Sequence, residues 1–242
     1  MFLFNTFYPS NMTMRLVRER LLRNVIDLRV VELEGGPEAI GDVREDLERL
    51  VGSTVSRATS ARILGISQTA LDRHVSAGSL AVIETRGGRH ELPLGELVSL
   101  AVELRHHALA RHPVAAVLDD RRARAETLTA TDLLPGSREP ARGHRPAELR
   151  ALAFHRAVAR QLNGLLVRDA KRRLRSWQTD GHIDPRWSER WATLLDRPLE
   201  EIRRTITADD EIAADLRQSS PFAGSLSEPE RRRILEIVRE AA

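Results

Sequence analysis

Residues 59–92, TSARILGISQTALDRHVSAGSLAVIETRGGRHEL, leave the chain few choices. Gly65 interrupts an apolar pattern of helical spacing, and only a residue without a Cβ enters a tight left-handed turn there at no steric cost. Before it, Thr59 or Ser60 can cap a first helix whose Ala61, Ile63 and Leu64 face inward. After it, Ile66 plugs the corner and Ser67 can cap a second helix over 68–76. In that helix Ala70, Leu71 and Val75 fall at burial spacing, while Gln68, Thr69, Asp72 and Arg73 point outward. Gly78 stops it. Residues 80–84 alternate like a strand, Arg86, Gly87, Gly88 and Arg89 make a tight turn, and 90–92 return as a second strand. The expectation is two short helices joined at a glycine turn and followed by a basic-tipped hairpin.

This stretch resembles the excisionase-type, MerR-like winged helix-turn-helix domain. That family runs through an alanine-rich first helix, L-G-I/V-S, a T-V-x-R-like recognition helix, x-G-x-L, a G-G-R-R-like wing and an apolar helix opening. The matching residues are Ala61, Leu64-Gly65-Ile66-Ser67, Thr69-Ala70-Leu71-Asp72-Arg73, Gly78-Ser79-Leu80 and Gly87-Gly88-Arg89-His90, then 92–97. His90 stands where a second arginine is common. The resemblance covers residues 59–100 and implies that the domain binds double-stranded DNA. On that reading Gln68, Thr69 and Arg73 enter the major groove, and Thr59 and Ser67 contact flanking phosphates. Asp72 either accepts from a cytosine amino group or orients Arg73. Arg86, Arg89 and His90 on the wing reach the adjacent backbone or minor groove.

With 242 residues, 41% hydrophobic and 30% charged, the chain can bury a core and suits two small domains better than one large one. It contains no cysteine, which excludes disulfides, thiolate-ligated metals and a cysteine nucleophile and fits a cytoplasmic setting. Lys171 is the only lysine, so the positive charge is almost wholly arginine, whose fork of donors suits phosphate and guanine. There is no G-x-x-x-x-G-K-S/T loop, no G-x-G-x-x-G, no H-E-x-x-H and no G-x-S-x-G elbow, and the carboxylates read as helix starts and solvated faces. His106, His107 and His112 point in different directions on a helix and have no carboxylate at ligand spacing. No enzyme, cofactor or metal site is expected.

The expected fold is mostly α: a winged helix-turn-helix domain with a two-stranded wing, plus a C-terminal helical domain. Residues 1–14 read as a disordered start, neither signal peptide nor membrane span, with Met12 or Met14 as a later initiation point. Residues 15–124 form the DNA-binding domain. Within it, 15–34 make a helix with a break near Asp27, and 37–51 a second with Ile40, Val43, Leu47 and Leu50 on one side and Arg44 on the other. These two helices either brace the motif or form a dimerisation surface. A linker rich in proline and glycine spans 125–146.

Residues 147–242 form the dimerisation or partner-binding domain. The spacing predicts a helix from 146 to 180, about 50 Å long, as a hairpin arm, bundle spine or dimer seam, with a basic face including Arg150, Arg160, Lys171, Arg172 and Arg173. Helices at 185–195, 198–207 and 209–218 follow, and Ser227 with Glu230 marks the start of the last. Phe222 sits in a loop that either plugs the bundle or binds a partner.

The function that fits is a sequence-specific, homodimeric transcriptional regulator. Such a chain suits an antitoxin-type autoregulator whose C-terminal helices bind a toxin-like protein. The alternative is an excisionase-like recombination accessory protein, against which the long C-terminal half argues.

Overall fold

The computed structural model describes residues 11–107, 110–135 and 146–241. Among them are thirteen helices and one small antiparallel sheet of three strands. The chain divides into two compact units, Met1–Val117 and Leu118–Ala242.

Unit 1 begins with α1 (Asn11–Leu33), α2 (Glu38–Val51), β1 (Thr54–Ser56), α3 (Arg57–Leu64) and α4 (Gln68–Ser76). It continues with β2 (Ile83–Glu84), β3 (His90–Pro93) and α5 (Leu94–His106). The first helix runs unbroken through Asp27 and starts at Asn11, so the expected disordered start is in part helix, and residues 1–10 lie outside the described residues. Helix α1 packs on α2, α3 and α5, and α3 packs on α4, β1, β3 and α5. The core at their centre contains Leu22, Val25, Val55, Leu71, Leu92, Leu97 and Leu100, all without solvent exposure. Burying a leucine of this kind stabilises by roughly 1.5–3 kcal/mol.

Helix α2 turns a different face inward from the one its apolar spacing predicts. Val43 and Leu50 are exposed, whereas Arg44 is buried. The reason is electrostatic: Arg44 Nε donates to Glu32 at 3.0 Å, and its Nη1 pairs with Glu48. A buried guanidinium is tolerated where carboxylates meet it with hydrogen bonds.

The sheet order is β1-β3-β2. Val55 faces Leu92 across β1 and β3, and Glu84 faces His90 across β2 and β3. The expected hairpin is β2 and β3, its first strand confined to Ile83–Glu84 rather than 80–84, and β1 pairs on the other side of β3 as a third strand. Three residues, Thr54 to Ser56, are too few for an alternation to stand out.

Helix α6 (Pro113–Glu126) carries the division between the units. Unit 2 then contains α7 (Ala130–Leu133), α8 (Pro146–Gln161), α9 (Gly164–Thr179), α10 (Pro185–Leu195), α11 (Leu199–Thr207), α12 (Glu211–Gln218) and α13 (Glu228–Ala241). Its centre is α8, against which α7, α11, α12 and α13 all pack. Part of the expected linker belongs to this unit. Leu128 and Leu133 are buried in its core, and Thr129 caps α7 in a reciprocal box with Asp132. Residues 136–145 of that linker lie outside the described residues.

The single long helix expected over 146–180 is two helices. Asn163 breaks it, extended at φ −146 and ψ 174, with its Oδ1 accepting from the N–H groups of Leu165 and Leu166 at 2.9 and 3.0 Å. Arg203 closes the other side of the break by donating to the carbonyls of Ala159 and Leu162 at 3.2 and 2.6 Å. The expected basic face is largely consumed in folding. Arg172 is buried, Arg160 pairs with Asp132 at 2.8 Å, Lys171 with Asp196 at 2.6 Å, and Arg173 donates to the Pro221 carbonyl.

Three contacts finish the unit. Trp191 is fully buried with its indole N–H donating to the Leu216 carbonyl at 3.1 Å. Phe222 meets it edge-on, ring centroids 5.8 Å apart. At the start of α13, Glu230 accepts from both the backbone N–H and the hydroxyl of Ser227, at 2.8 and 2.6 Å.

His155 is a buried histidine on α8, with Nδ1 2.7 Å from the Ala151 carbonyl and Nε2 2.7 Å from Ser220 Oγ. Burial pushes its pKa down to about 4, and the positive charge of Arg217 acts in the same direction, against the hydrogen bond to Ala151. The unfolded chain therefore takes up a proton near the ordinary histidine pKa of about 6.5, while the folded chain does not until about 4. Stability of unit 2 is then fully present above about pH 6.5 and falls as the pH drops from there towards 4, by up to about 3 kcal/mol from this group. All three tryptophans, Trp177, Trp187 and Trp191, lie in unit 2, so their fluorescence follows its urea unfolding. Between pH 6.5 and 4 the wild-type midpoint should fall more steeply than that of His155→Gln; parallel slopes would assign the pH dependence to other groups.

Candidate nucleic-acid interface

The candidate interface is built on α3, α4 and the β2–β3 hairpin. Ser56 caps α3, its side chain accepting from Thr59 N–H at 3.3 Å. Thr59 was expected as a cap or phosphate contact. It is instead almost wholly buried, its hydroxyl oxygen accepting from Ser56 Oγ at 3.0 Å and from Arg62 at 3.1 Å. Little of it is left exposed.

At the other end of α3, Gly65 lies in the left-handed region at φ 69, and the Ile66 N–H donates back to the Ala61 carbonyl at 3.0 Å. This is the closing bond of a Schellman turn, which satisfies a helix-end carbonyl and redirects the chain. Ser67 then caps α4, its side chain accepting from Ala70 N–H at 3.1 Å. Leu71 is buried and anchors the helix, Val75 and His74 are half-buried, and Gln68, Thr69 and Arg73 are exposed. Gly78 at φ 70 ends α4 with the same device, the Ser79 N–H donating to the His74 carbonyl at 3.0 Å.

The hairpin tip is closed by Thr85 N–H to the Arg89 carbonyl and Gly88 N–H to the Thr85 carbonyl, both 2.8 Å. Arg86, Arg89 and His90 are all exposed on it. Among the described residues, the side chains of Arg73, Arg86 and Arg89 have no hydrogen-bond or ion-pair partner, whereas Arg62 is bound to Glu19 at 2.8 Å and Arg18 to two carbonyls. Arg15, Arg20 and Arg23 on α1 are also free of side-chain partners among those residues, so freedom alone does not mark the interface. Its mark is the grouping of three unengaged guanidiniums with Gln68, Thr69 and the capped start of α4.

Arg57, which the sequence reading passed over, ties the two halves together. Its Nη1 donates to Asp72 Oδ1 at 2.9 Å, and its Nε to the His90 carbonyl at 3.0 Å. Asp72 was expected to meet a base or orient Arg73; its carboxylate is engaged by Arg57 instead. One guanidinium thus joins α4 to the first residue of β3. No local spacing announces this, because Arg57 is 15 residues from Asp72 and 33 from His90. The expected cap at Thr59 or Ser60 left Arg57 outside the helix, whereas α3 begins with it.

Phe222, expected either to plug the bundle or to bind a partner, lies in the core of unit 2 against Trp191. Its side chain is a packing residue. No helix among the described residues is long and apolar enough to cross a membrane. Comparison of the chain with protein-family models, curated proteins and solved structures gave no significant match.

The Arg57 to Asp72 pair is partly exposed, 30% and 40%, so it is worth no more than about 1 kcal/mol in overall stability. Its effect is local. Arg57→Ala should leave the unfolding midpoint nearly unchanged while amide hydrogen exchange over residues 83–91 accelerates. Equal protection in both proteins would show that the strand pairing alone holds the hairpin.

Proposed function

We propose that unit 1 is a winged helix-turn-helix domain of the excisionase-type, MerR-like kind and that the protein is a sequence-specific, DNA-binding transcriptional regulator. The observation that carries this reading is that Arg57 joins α4 to the arginine-tipped hairpin while Gln68, Thr69, Arg73, Arg86 and Arg89 are all exposed. Gln68, Thr69 and Arg73 read base edges in the major groove. Ser67, with its oxygen already accepting, still has a hydroxyl hydrogen to donate to phosphate. Arg86, Arg89 and His90 contact the neighbouring backbone or minor groove. Asp72 holds Arg57 rather than a base.

The regulator acts as a homodimer and autoregulates its own transcription in the manner of an antitoxin, with a toxin-like protein held by unit 2. A dimer seam on α1 and α2 fits better than one in unit 2. Met14, Leu16, Val17, Val43 and Leu50 are all exposed there, and a surface of that apolar content is stabilised by covering it. Val43 and Leu50 lie two turns apart on one side of α2.

Two experiments test the reading. In fluorescence polarisation with a duplex from the protein's own upstream region, Arg73→Ala should cost about 1–3 kcal/mol and relax specificity. Arg89→Ala should weaken binding to every sequence alike and lower the slope of log affinity against log salt by about one. Unchanged operator affinity in Arg73→Ala would remove α4 from the groove. In sedimentation velocity, Val43→Asp combined with Leu50→Asp should convert dimer to monomer without lowering the melting temperature of unit 1; a persistent dimer would place the seam elsewhere.

A further inference from the structure

Unit 2 contains a cavity of about 350 Å3 that the DNA reading does not use. Phe154, Val158, Phe222 and Leu226 give it apolar walls, and the exposed Ala223 lies at its edge. Its size falls within the range of small-molecule sites, about 300–1,000 Å3.

Two buried polar side chains line this space. His155 is fully engaged. The Ala151 carbonyl can only accept, so Nδ1 carries the hydrogen and Nε2 accepts from the Ser220 hydroxyl. Ser220 Oγ in turn accepts from Phe222 N–H at 3.2 Å. Its depressed pKa leaves His155 uncharged at neutral pH.

Arg217 is different. It is 5% exposed, and its Nη1 donates to the carbonyls of Ile206 and Ala208 at 3.3 and 2.6 Å. Its Nε is buried with no acceptor, and no carboxylate among the described residues is bonded to it. Asp209, Asp210 and Glu148 act on it only through space, with Arg156 opposing them. A buried cation with an unmet donor beside an apolar space is costly, and an anion that meets that donor removes both penalties.

We propose that this cavity binds a small organic carboxylate, its apolar body against Phe154, Val158, Phe222 and Leu226 and its carboxylate accepting from Arg217. Arg231 also lines the space but is paired with Glu228 at 2.7 Å, so one cation without a carboxylate and a neutral imidazole match a single negative charge, and four apolar side chains leave a fully hydrated ion such as free phosphate little to bind. The inference is independent of the DNA reading, because all of its residues lie in unit 2.

The test is isothermal titration of the full-length protein with benzoate, phenylacetate and hexanoate, with benzamide as the uncharged control. At least one carboxylate should bind saturably, one per chain, at least about tenfold more tightly than benzamide. Arg217→Gln should weaken that binding about tenfold or more. Because Arg217 also ties down two carbonyls, a second variant guards against misfolding: Ala223→Phe should fill the mouth and abolish binding with an unchanged circular-dichroism melt. Absence of saturable binding by all three carboxylates would overturn the proposal, leaving water as the occupant. Equal affinity for benzamide, or wild-type affinity in a folded Ala223→Phe protein, would overturn it too.

Discussion

Helices of eight and nine residues are marginal in water, because a short helix does not repay the cost of nucleating it. Helices α3 and α4 have those lengths, so their existence depends on what holds their ends and their inner faces. Each begins at a serine cap and ends on a left-handed glycine, and Leu64 and Leu71 fix them to the core formed with α1, β1, β3 and α5. What remains outside is the polar face of α4. The same constraint that makes these helices foldable therefore decides which of their side chains stay exposed.

That dependence explains why this part of the chain was legible. Caps, glycine stops and apolar spacing are local signals, and 59–92 carries all of them within 34 residues. The helices, the turn and the hairpin follow from it, as do the exposed positions of Gln68, Thr69, Arg73, Arg86 and Arg89. What escaped was set by partners distant in sequence. Thr59 was lost as a cap because Ser56 reached its N–H first, and Asp72 because Arg57 reaches across from another helix. Arg44 looked solvated until Glu32, 12 residues earlier, was seen to receive it. In unit 2 the break at Asn163 was hidden inside an apolar pattern that runs on in register, and two leucines, Leu128 and Leu133, were enough to draw a polar stretch into the core.

Arginine is used in two ways. Several are structural: Arg18, Arg44, Arg57, Arg62 and Arg203 hold carboxylates or carbonyls far along the chain, and Arg105 pairs with Asp27 in the same way. A planar fork of five donors can bridge two acceptors at once, which an ammonium on a flexible stem does less well. This makes net charge a poor guide to function here, since a charge of +3 results from many cations and nearly as many anions. The informative quantity is which guanidiniums the fold leaves unengaged. Three of them, Arg73, Arg86 and Arg89, are exposed on α4 and the hairpin.

Arg217 extends the same argument into the interior. Two other buried arginines are each paired with a carboxylate, Arg44 with Glu32 and Arg172 with Asp169. Arg217 has carbonyls on one nitrogen and a bare Nε on another, next to a space lined by aromatic and aliphatic carbon. Desolvating a guanidinium without an anion opposes folding, so a chain that keeps one there gains by supplying the anion from outside. Because binding only to the folded state stabilises it by mass action, such a ligand would set the stability of unit 2 by its concentration. The phosphate contacts proposed for the first unit and the carboxylate proposed for the second thus rest on the same physical basis, guanidinium donors that the fold leaves unmet.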